Sequence, residues 1–300
     1  MGIFSKKKTM VVHDARFHAD DIFAVATMQI YLKGKLTVIR TRDEKIIEKA
    51  DIVADVGGIY DEKTDRFDHH QKGGAGVRTN GVPYASFGLV WKKYGESLSS
   101  SKKVADRVEK HLVYSIDAAD NGINVFEQNN PEVFPYLIQQ VFRSISPTWK
   151  EDNSLLDQKF FECVDMAKKI LEREIIHAQD YISAEEKLEN IYNSSPDQKI
   201  LILDDRYPWE EILVDYPKTL IIVAPRPAGN WKAEVTFLSK GSMERKMYFP
   251  QTWAGLRDEE MAKVSGVPDA IFCHNGRFIA VAKSKEGAIA LAQKSLTNKE

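Results

Sequence analysis

The chain has 300 residues, 43% of them hydrophobic and 29% charged, and a net charge of -2 at pH 7, enough for a sizeable buried core in about two domains but with no basic excess that would hold a polyanion non-specifically. Its two cysteines, Cys163 and Cys273, stand far apart without CxxC spacing, which excludes a zinc ribbon and argues against a disulfide framework. The lysine-bearing start, Met1 to Thr9, precedes no apolar signal core, and nowhere do about 18 uncharged apolar residues run together, so the expectation is a cytoplasmic protein with no membrane partner.

Thr9 to His13 reads as a strand, after which Asp20-Asp21 open an amphipathic helix through Ile22, Phe23, Val25, Ala26, Met28 and Ile30. Leu36 to Arg40 is a second strand, Asp43 to Lys49 a short helix, and Asp51 to Val56 a third strand stopped by Gly57-Gly58. Alternating strands and helices predict a parallel sheet, whose ligands gather at the carboxyl ends of the strands. The polar clusters His13 to Asp21, Asp55 and Asp68 to His70 all fall at such ends.

Helices are expected at Tyr84 to Tyr94, Lys102 to Ala119 and Pro131 to Ile145. The second closes on Asp117, Asp120, Asn121 and Gly122, an acidic end that runs against the helix dipole. A functional carboxylate explains the mismatch, and so does a polar C-cap at Asn121-Gly122. A long helical pattern follows from Asp152 to about Asn190, and Ser194-Ser195-Pro196-Asp197 reads as a linker. Beyond it, strands are predicted at Ile200 to Leu203, Thr219 to Ala224, Lys232 to Phe237 and Lys246 to Phe249, then Ala270 to His274 and Arg277 to Ala282 around an Asn275-Gly276 hairpin turn, and a last helix at Glu286 to Leu296. The division expected is a first domain over 1–150, a helical connector and linker over 151–195, and a second domain over 196–300.

The chemistry concentrates in the first part. Asp68-His69-His70 sets a carboxylate beside two of only seven histidines, a donor mix that suits Mn²⁺ or Zn²⁺. With His13, His18, Asp20, Asp55 and Asp117 there are more donors than one ion needs, so two ions are expected. Paired cations clamp the attacking and leaving oxygens of a phosphoryl displacement and lower the pKa of a bridging water. In the last part Arg226, Trp231, Lys246, Arg257, His274 and Arg277 offer cations and one aromatic near strand ends, suited to phosphate oxygens and a stacked base.

The spacing His13-x4-His18-x-Asp20, Asp55-Val56-Gly57-Gly58, Asp68-His69-His70-Gln71 and Asp117-x2-Asp120-Asn121-Gly122 resembles the DHH phosphoesterase superfamily. It resembles more closely the Myg-type family, named after a melanocyte proliferating gene. Arg40 to Asp43, Tyr60-Asp61, Trp253 to Asp258 and Val264 to Pro268 match as well, so the likeness spans nearly the whole chain. It implies an α/β protein with a DHH-type parallel-sheet catalytic domain, a long helical connector and a smaller α/β C-terminal domain. It also implies a divalent-metal-dependent phosphodiesterase, a 3′ to 5′ exonuclease on RNA or short oligonucleotides, using two ions, Mn²⁺ first with Mg²⁺ or Zn²⁺ as alternatives.

By the same resemblance His13, His18 and Asp20 form the first ligand motif, although relatives often carry Asp where this chain has His18. Asp55 would bridge the ions, His69 or Asp68 would complete a shell, Asp117 would ligate the second ion, and His70 would touch the scissile phosphate or its leaving oxygen. Two other functions use the same residues: a phosphatase or pyrophosphatase acting on a small metabolite, and a nucleotide-binding protein without turnover.

Overall fold

The computed structural model describes residues 7–127, 130 and 132–297; the lysine-rich start up to Lys6 lies outside them. Two compact units divide the chain, Met1–Gln179 and Asp180–Glu300.

The first unit holds β1 (Lys8–Val12), α1 (Ala19–Tyr31), β2 (Leu36–Arg40), α2 (Glu44–Lys49), β3 (Ile52–Ala54), β4 (Tyr60–Asp61) and β5 (Arg66–Phe67). Its sheet order is β2-β1-β3-β5-β4. The strands β2, β1, β3 and β5 run parallel. β4 is antiparallel to β5, so the sheet is mixed at one edge rather than wholly parallel. Only the short turn Glu62–Thr64 and left-handed Asp65 (φ 57°) join these two strands, too short for the crossover that a parallel pair needs.

β3 and the last three residues of β1, Met10 to Val12, are buried on both faces, as continuous apolar segments of a covered sheet should be. Val11 and Val53 pack with Ala50, Val56 and Ile47 against α2. Elsewhere in the unit α1 meets α3 (Ser86–Ser99) and α6 (Ile138–Ile145): the Phe23 ring lies 5.1 Å from Phe87 and 5.9 Å from Phe142.

Between α3 and α6 the chain forms α4 (Lys102–Val108), a π-helical turn (Glu109–Val113) and α5 (Tyr114–Asp120), one continuous run. α6 is much shorter than the expected helix from Pro131, a residue outside those described. Pro135 accounts for the late start, since it has no N–H to donate and disfavours helical geometry in the residue before it.

α7 (Leu156–Ser194) crosses from the first unit into the second, so the boundary lies within this helix and upstream of the Ser194 to Asp197 turn. The second unit continues with β6 (Ile200–Ile202), α8 (Trp209–Ile212), β7 (Ile221–Pro225), β8 (Trp231–Val235), α9 (Asp258–Ser265), β9 (Ala270–Cys273), β10 (Ile279–Ala282) and α10 (Lys285–Thr297). Its sheet order is β6-β7-β8-β10-β9. Only β6–β7 is parallel there.

The period-2 alternation of β7 sorts its side chains to the two faces. Ile221 and Val223 join Phe249, Trp253 and Leu291, whereas Ile222 and Ala224 join Trp209 and, from the end of α7, Ala184 and Leu188. The strand expected at Lys246 to Phe249 does not form; Arg245 alone bridges to Phe237. No described helix is long and apolar enough to cross a membrane.

Candidate metal centre

The residues expected at strand ends do converge. β1 ends at Val12 and delivers His13, buried to 3% exposure. β3 ends at Ala54 and delivers Asp55, buried to 2% and held left-handed at φ 57°. A non-glycine residue in that region is uncommon, and such strain concentrates where surrounding structure fixes a working side chain. Asp55 takes its place through its own N–H, which donates to the Phe67 carbonyl of β5. Beyond Phe67 follow Asp68, His69 and His70, and His18 is the N-cap of α1, which has Asp20 and Asp21 in its first turn.

Asp55 is the hub. Its Oδ2 lies 3.1 Å from His13 Nε2, and its Oδ1 lies 3.4 Å from both His69 Nε2 and His70 Nδ1. Ser86 at the start of α3 donates to the same Oδ1 at 3.3 Å. Among the described residues, three sets of side chains are close enough to hold a metal ion: His13, His18 and Asp55; Asp55, His69 and His70; and His18, Asp20 and Asp120. The first two share Asp55, and the first and third share His18.

Backbone partners orient these donors. The His13 Nδ1 side faces the Asp14 carbonyl at 2.8 Å, which turns Nε2 toward Asp55, the arrangement by which a second partner fixes a ligating imidazole. Asp68 does the same for His70: its Oδ1 is 2.8 Å from His70 Nδ1 and accepts the His70 N–H, and its Oδ2 accepts the Gly58 N–H at 2.5 Å. Asp68 therefore orients His70 and is absent from all three candidate sets. His70 itself is 61% exposed in its side chain, at the mouth of the cluster.

Helix α5 supplies a different carboxylate from the one expected. Asp117 pairs with Arg78, its Oδ2 2.7 Å from the guanidinium, while its Oδ1 accepts the Gly88 N–H at 3.0 Å. Asp120, one turn on, has Oδ2 3.2 Å from His69 Nε2 and Oδ1 3.9 Å from His18 Nδ1. The pattern Asp117-x2-Asp120 offered both residues; only the position of Arg78, far away in sequence, separates them. Asp21, absent from the expected set, lies with Oδ2 3.3 Å from His13 Nε2, and its Oδ1 accepts the His18 N–H.

Charge in the cluster is unbalanced among its own residues. Burial disfavours a charged His13, yet the hydrogen bond to Asp55 and the charges of Asp21 and Asp55 prevail and push it up to about 9. Against the same desolvation, Asp120 and Asp55 push His69 up to about 10. Asp55 is held well below the carboxylate range by His13 and His69 despite its burial. Burial, with the charges of Asp55, Asp120 and Asp21, drives Asp20 well above that range.

Asp20 Oδ1, Asp21 Oδ2 and His69 Nε2 are buried and make no hydrogen bond. Orphaned acceptors and imidazoles that must bind protons to coexist with carboxylates are what a site short of positive charge looks like. Divalent cations fit it: the donors are imidazole and carboxylate, the mix for Mn²⁺ or Zn²⁺ and less suited to Ca²⁺.

The second unit deals differently with its expected residues. Lys246 Nζ donates to the carbonyls of Leu213, Tyr216 and Thr219, a structural tie that leaves it no donor for substrate. Trp231 is half-buried against the core and carries Lys285 Nζ 5.5 Å from its ring. Arg277, left-handed at φ 56°, donates to the Phe249 carbonyl. Arg257 and His274 are exposed; the guanidinium lies 4.6 Å over Phe272, and His274 Nδ1 accepts the Gly276 N–H. Arg226 is exposed beside Asn230 Oδ1 at 3.3 Å.

A family model named MYG1_exonuc and described as "Uncharacterised protein family (UPF0160)" matches residues 9–296. The protein named MYG1 exonuclease of Bos taurus is 27% identical over 96% of this chain and 84% of its own length. That of Homo sapiens is 27% identical over 96% of this chain and 85% of its length. A MYG1 protein of Saccharomyces cerevisiae is 29% identical, covering 96% of both chains.

Proposed function

The chain belongs to this MYG1 exonuclease family, and from that premise we propose that it is a divalent-metal-dependent phosphodiesterase, a 3′ to 5′ exonuclease acting on RNA or short oligonucleotides. The observation that carries the reading is the sharing of buried Asp55, one carboxylate oxygen toward His13 and the other toward His69 and His70. A carboxylate used from both sides suits two adjacent cations, and the relatives' name, MYG1 exonuclease, supports a nucleic-acid substrate. We likewise assign the first unit to the DHH type, on its Asp68-His69-His70 motif at the end of a parallel strand.

On this reading His13, His18 and Asp55 hold one ion, and Asp20, Asp55, His69 and Asp120 the other; Mn²⁺ is the proposed metal. When bound, such a pair supplies Lewis-acid stabilisation of phosphate charge and an acidified water. His70 contributes protein chemistry of its own. With Nδ1 held by Asp68, the exposed face of the ring is left for the substrate, where Nε2 can give a proton to the departing O3′ as the P–O3′ bond breaks and water oxygen joins phosphorus. The exposed Arg257 and His274 are the proposed phosphate contacts of the second unit.

The test is incubation of purified protein and Mn²⁺ with 5′-labelled single-stranded RNA, the matching DNA, dinucleotides and pyrophosphate. The expected result is stepwise shortening from the 3′ end with release of 5′-mononucleotides. Cleavage of pyrophosphate alone would replace this reading with the small-molecule phosphatase, and binding without cleavage of anything would leave a nucleotide-binding protein.

A further inference from the structure

Helices α1 and α5, which carry His18, Asp20 and Asp120, also line a cavity of about 180 Å³. Helices α1, α5 and α6 and the segment after α5 build it, and its lining includes Ala19, Ser115, Ala119, Ile123, Phe126 and Gln139. Ala19 stands between His18 and Asp20, and Ala119 directly precedes Asp120. The cavity wall is thus the same backbone that carries the candidate set His18, Asp20 and Asp120. A molecule seated there touches Ala19 and Ala119, the immediate chain neighbours of that set, whose own side chains do not line the cavity.

Every lining side chain is uncharged. The small faces of Ala19 and Ala119 oppose aliphatic and aromatic groups, with Phe126 44% exposed and Ile123 37% exposed at the lip. Two amides add polarity. Gln139 Oε1 accepts the Ala19 N–H at 2.7 Å and Asn124 Oδ1 accepts the Phe126 N–H at 3.2 Å. Each amide is thereby oriented by its oxygen, and among the described residues neither NH₂ group has an acceptor. They remain as donors at a wall whose one other polar side chain is Ser115, its hydroxyl donating to the Leu112 carbonyl.

Building on the phosphodiesterase reading, we propose that this cavity holds the nucleobase of the terminal nucleotide whose phosphate lies at the metal cluster. A phosphodiester substrate carries only one part that is flat, uncharged and edged with acceptors, and that is its base. The volume limits the occupant to one ring system, since sites for drug-sized molecules span roughly 300 to 1,000 Å³. A base enters only when unpaired and unstacked from a partner strand, so the cavity selects single-stranded ends. Amide donors without a charged partner accept any base carrying acceptors, so selection among the bases is weak.

The experiment pairs two substrates with two proteins. One single-stranded oligonucleotide ends in an ordinary 3′ nucleotide, and the other is identical but lacks the 3′-terminal base. They are tested on wild type and on Ile123→Trp, which fills the cavity from its lip; Ser115→Phe is the second filling variant should the first unfold by circular dichroism. Wild type is expected to cleave the abasic end with kcat/KM lower by about five- to a hundred-fold, the range for loss of one stacked base. The filled variant should show that same loss on the ordinary end and no change on the abasic end. Equal cleavage of both ends by wild type, or an unaffected filled variant, overturns the proposal. If wild type cleaves no oligonucleotide, the phosphodiesterase reading itself has failed. The cavity is then judged by titrating adenosine 5′-monophosphate against ribose 5-phosphate: preference for the nucleotide that Ile123→Trp abolishes supports it, and equal binding rejects it.

Discussion

Asp68 and Asp120 are both carboxylates beside a histidine, yet the geometry gives them different work. Asp68 spends its oxygens on His70 and Gly58, whereas Asp120 approaches His69 and His18 directly. Asp68→Asn should therefore weaken metal binding or turnover by about 10- to 100-fold, the usual cost of losing an orienting partner. Asp120→Asn should remove a ligand outright and lower ion occupancy in calorimetric titration. A reversed order of effects would contradict the assignment. Protons give a second test at this scale. Against desolvation, the neighbouring carboxylates push His13 up to about 9 and His69 up to about 10, which favours protons on both near pH 7 that a cation must displace. Affinity for Mn²⁺ should rise as pH increases from 7 toward 9, with protons released to buffer on binding; a pH-independent affinity would rule this out. Ligand chemistry was legible in the sequence as far as residue types and strand-end positions allow. It could not separate Asp117 from Asp120, or see Lys246 tied to three carbonyls, because both facts depend on partners distant along the chain.

At the level of elements, one buried knot fixes α5 and with it Asp120. Arg78 reaches Asp117 at 2.7 Å and Glu109 in the π-helical turn at 2.7 Å, and its guanidinium lies 3.9 Å over Tyr84 and 4.9 Å over Tyr114. Gly88 of α3 lies against this pair, and a Cβ there would overlap the Asp117 carboxylate and the guanidinium. Arg78→Ala should destabilise the protein by about 3–5 kcal/mol, since it strands a buried carboxylate. Gly88→Ala should cost about 1–3 kcal/mol by overpacking. Urea unfolding checks both; a wild-type midpoint for either variant would mean that the knot is dispensable. α1, β1 to β3 and the β9–β10 hairpin were readable from periodicity and the Asn275-Gly276 turn, because local pattern decides them. The short α6 was less so, and the Lys246 to Phe249 run was misleading: it has strand-like composition but makes only isolated backbone bonds, from the Lys246 N–H to the Thr236 carbonyl and from the Phe249 N–H to the Arg277 carbonyl, and no ladder.

Across the whole molecule, α7 belongs to both units, and its last turns are core rather than connector. Ala184 and Leu188 cover Leu201, Ile222 and Trp209 on one face of the second sheet. A fragment starting at Pro196 should expose that face and bind hydrophobic dye or aggregate, whereas one starting at Asp180 should show a cooperative melt. Identical melting of the two would place the domain boundary at the turn. The composition announced the linker, but the end of a helix and the edge of a core need not coincide. Within the first unit, the shared Asp55 carboxylate is proposed to serve two ions. The most direct test is to count Mn²⁺ bound per chain in wild type and Asp55→Asn while following hydrolysis of single-stranded RNA. Two ions per wild-type chain, with lower occupancy and lost hydrolysis in a variant of unchanged circular dichroism, is the expected result; a single ion in wild type, or RNA hydrolysis undiminished in Asp55→Asn, would contradict it.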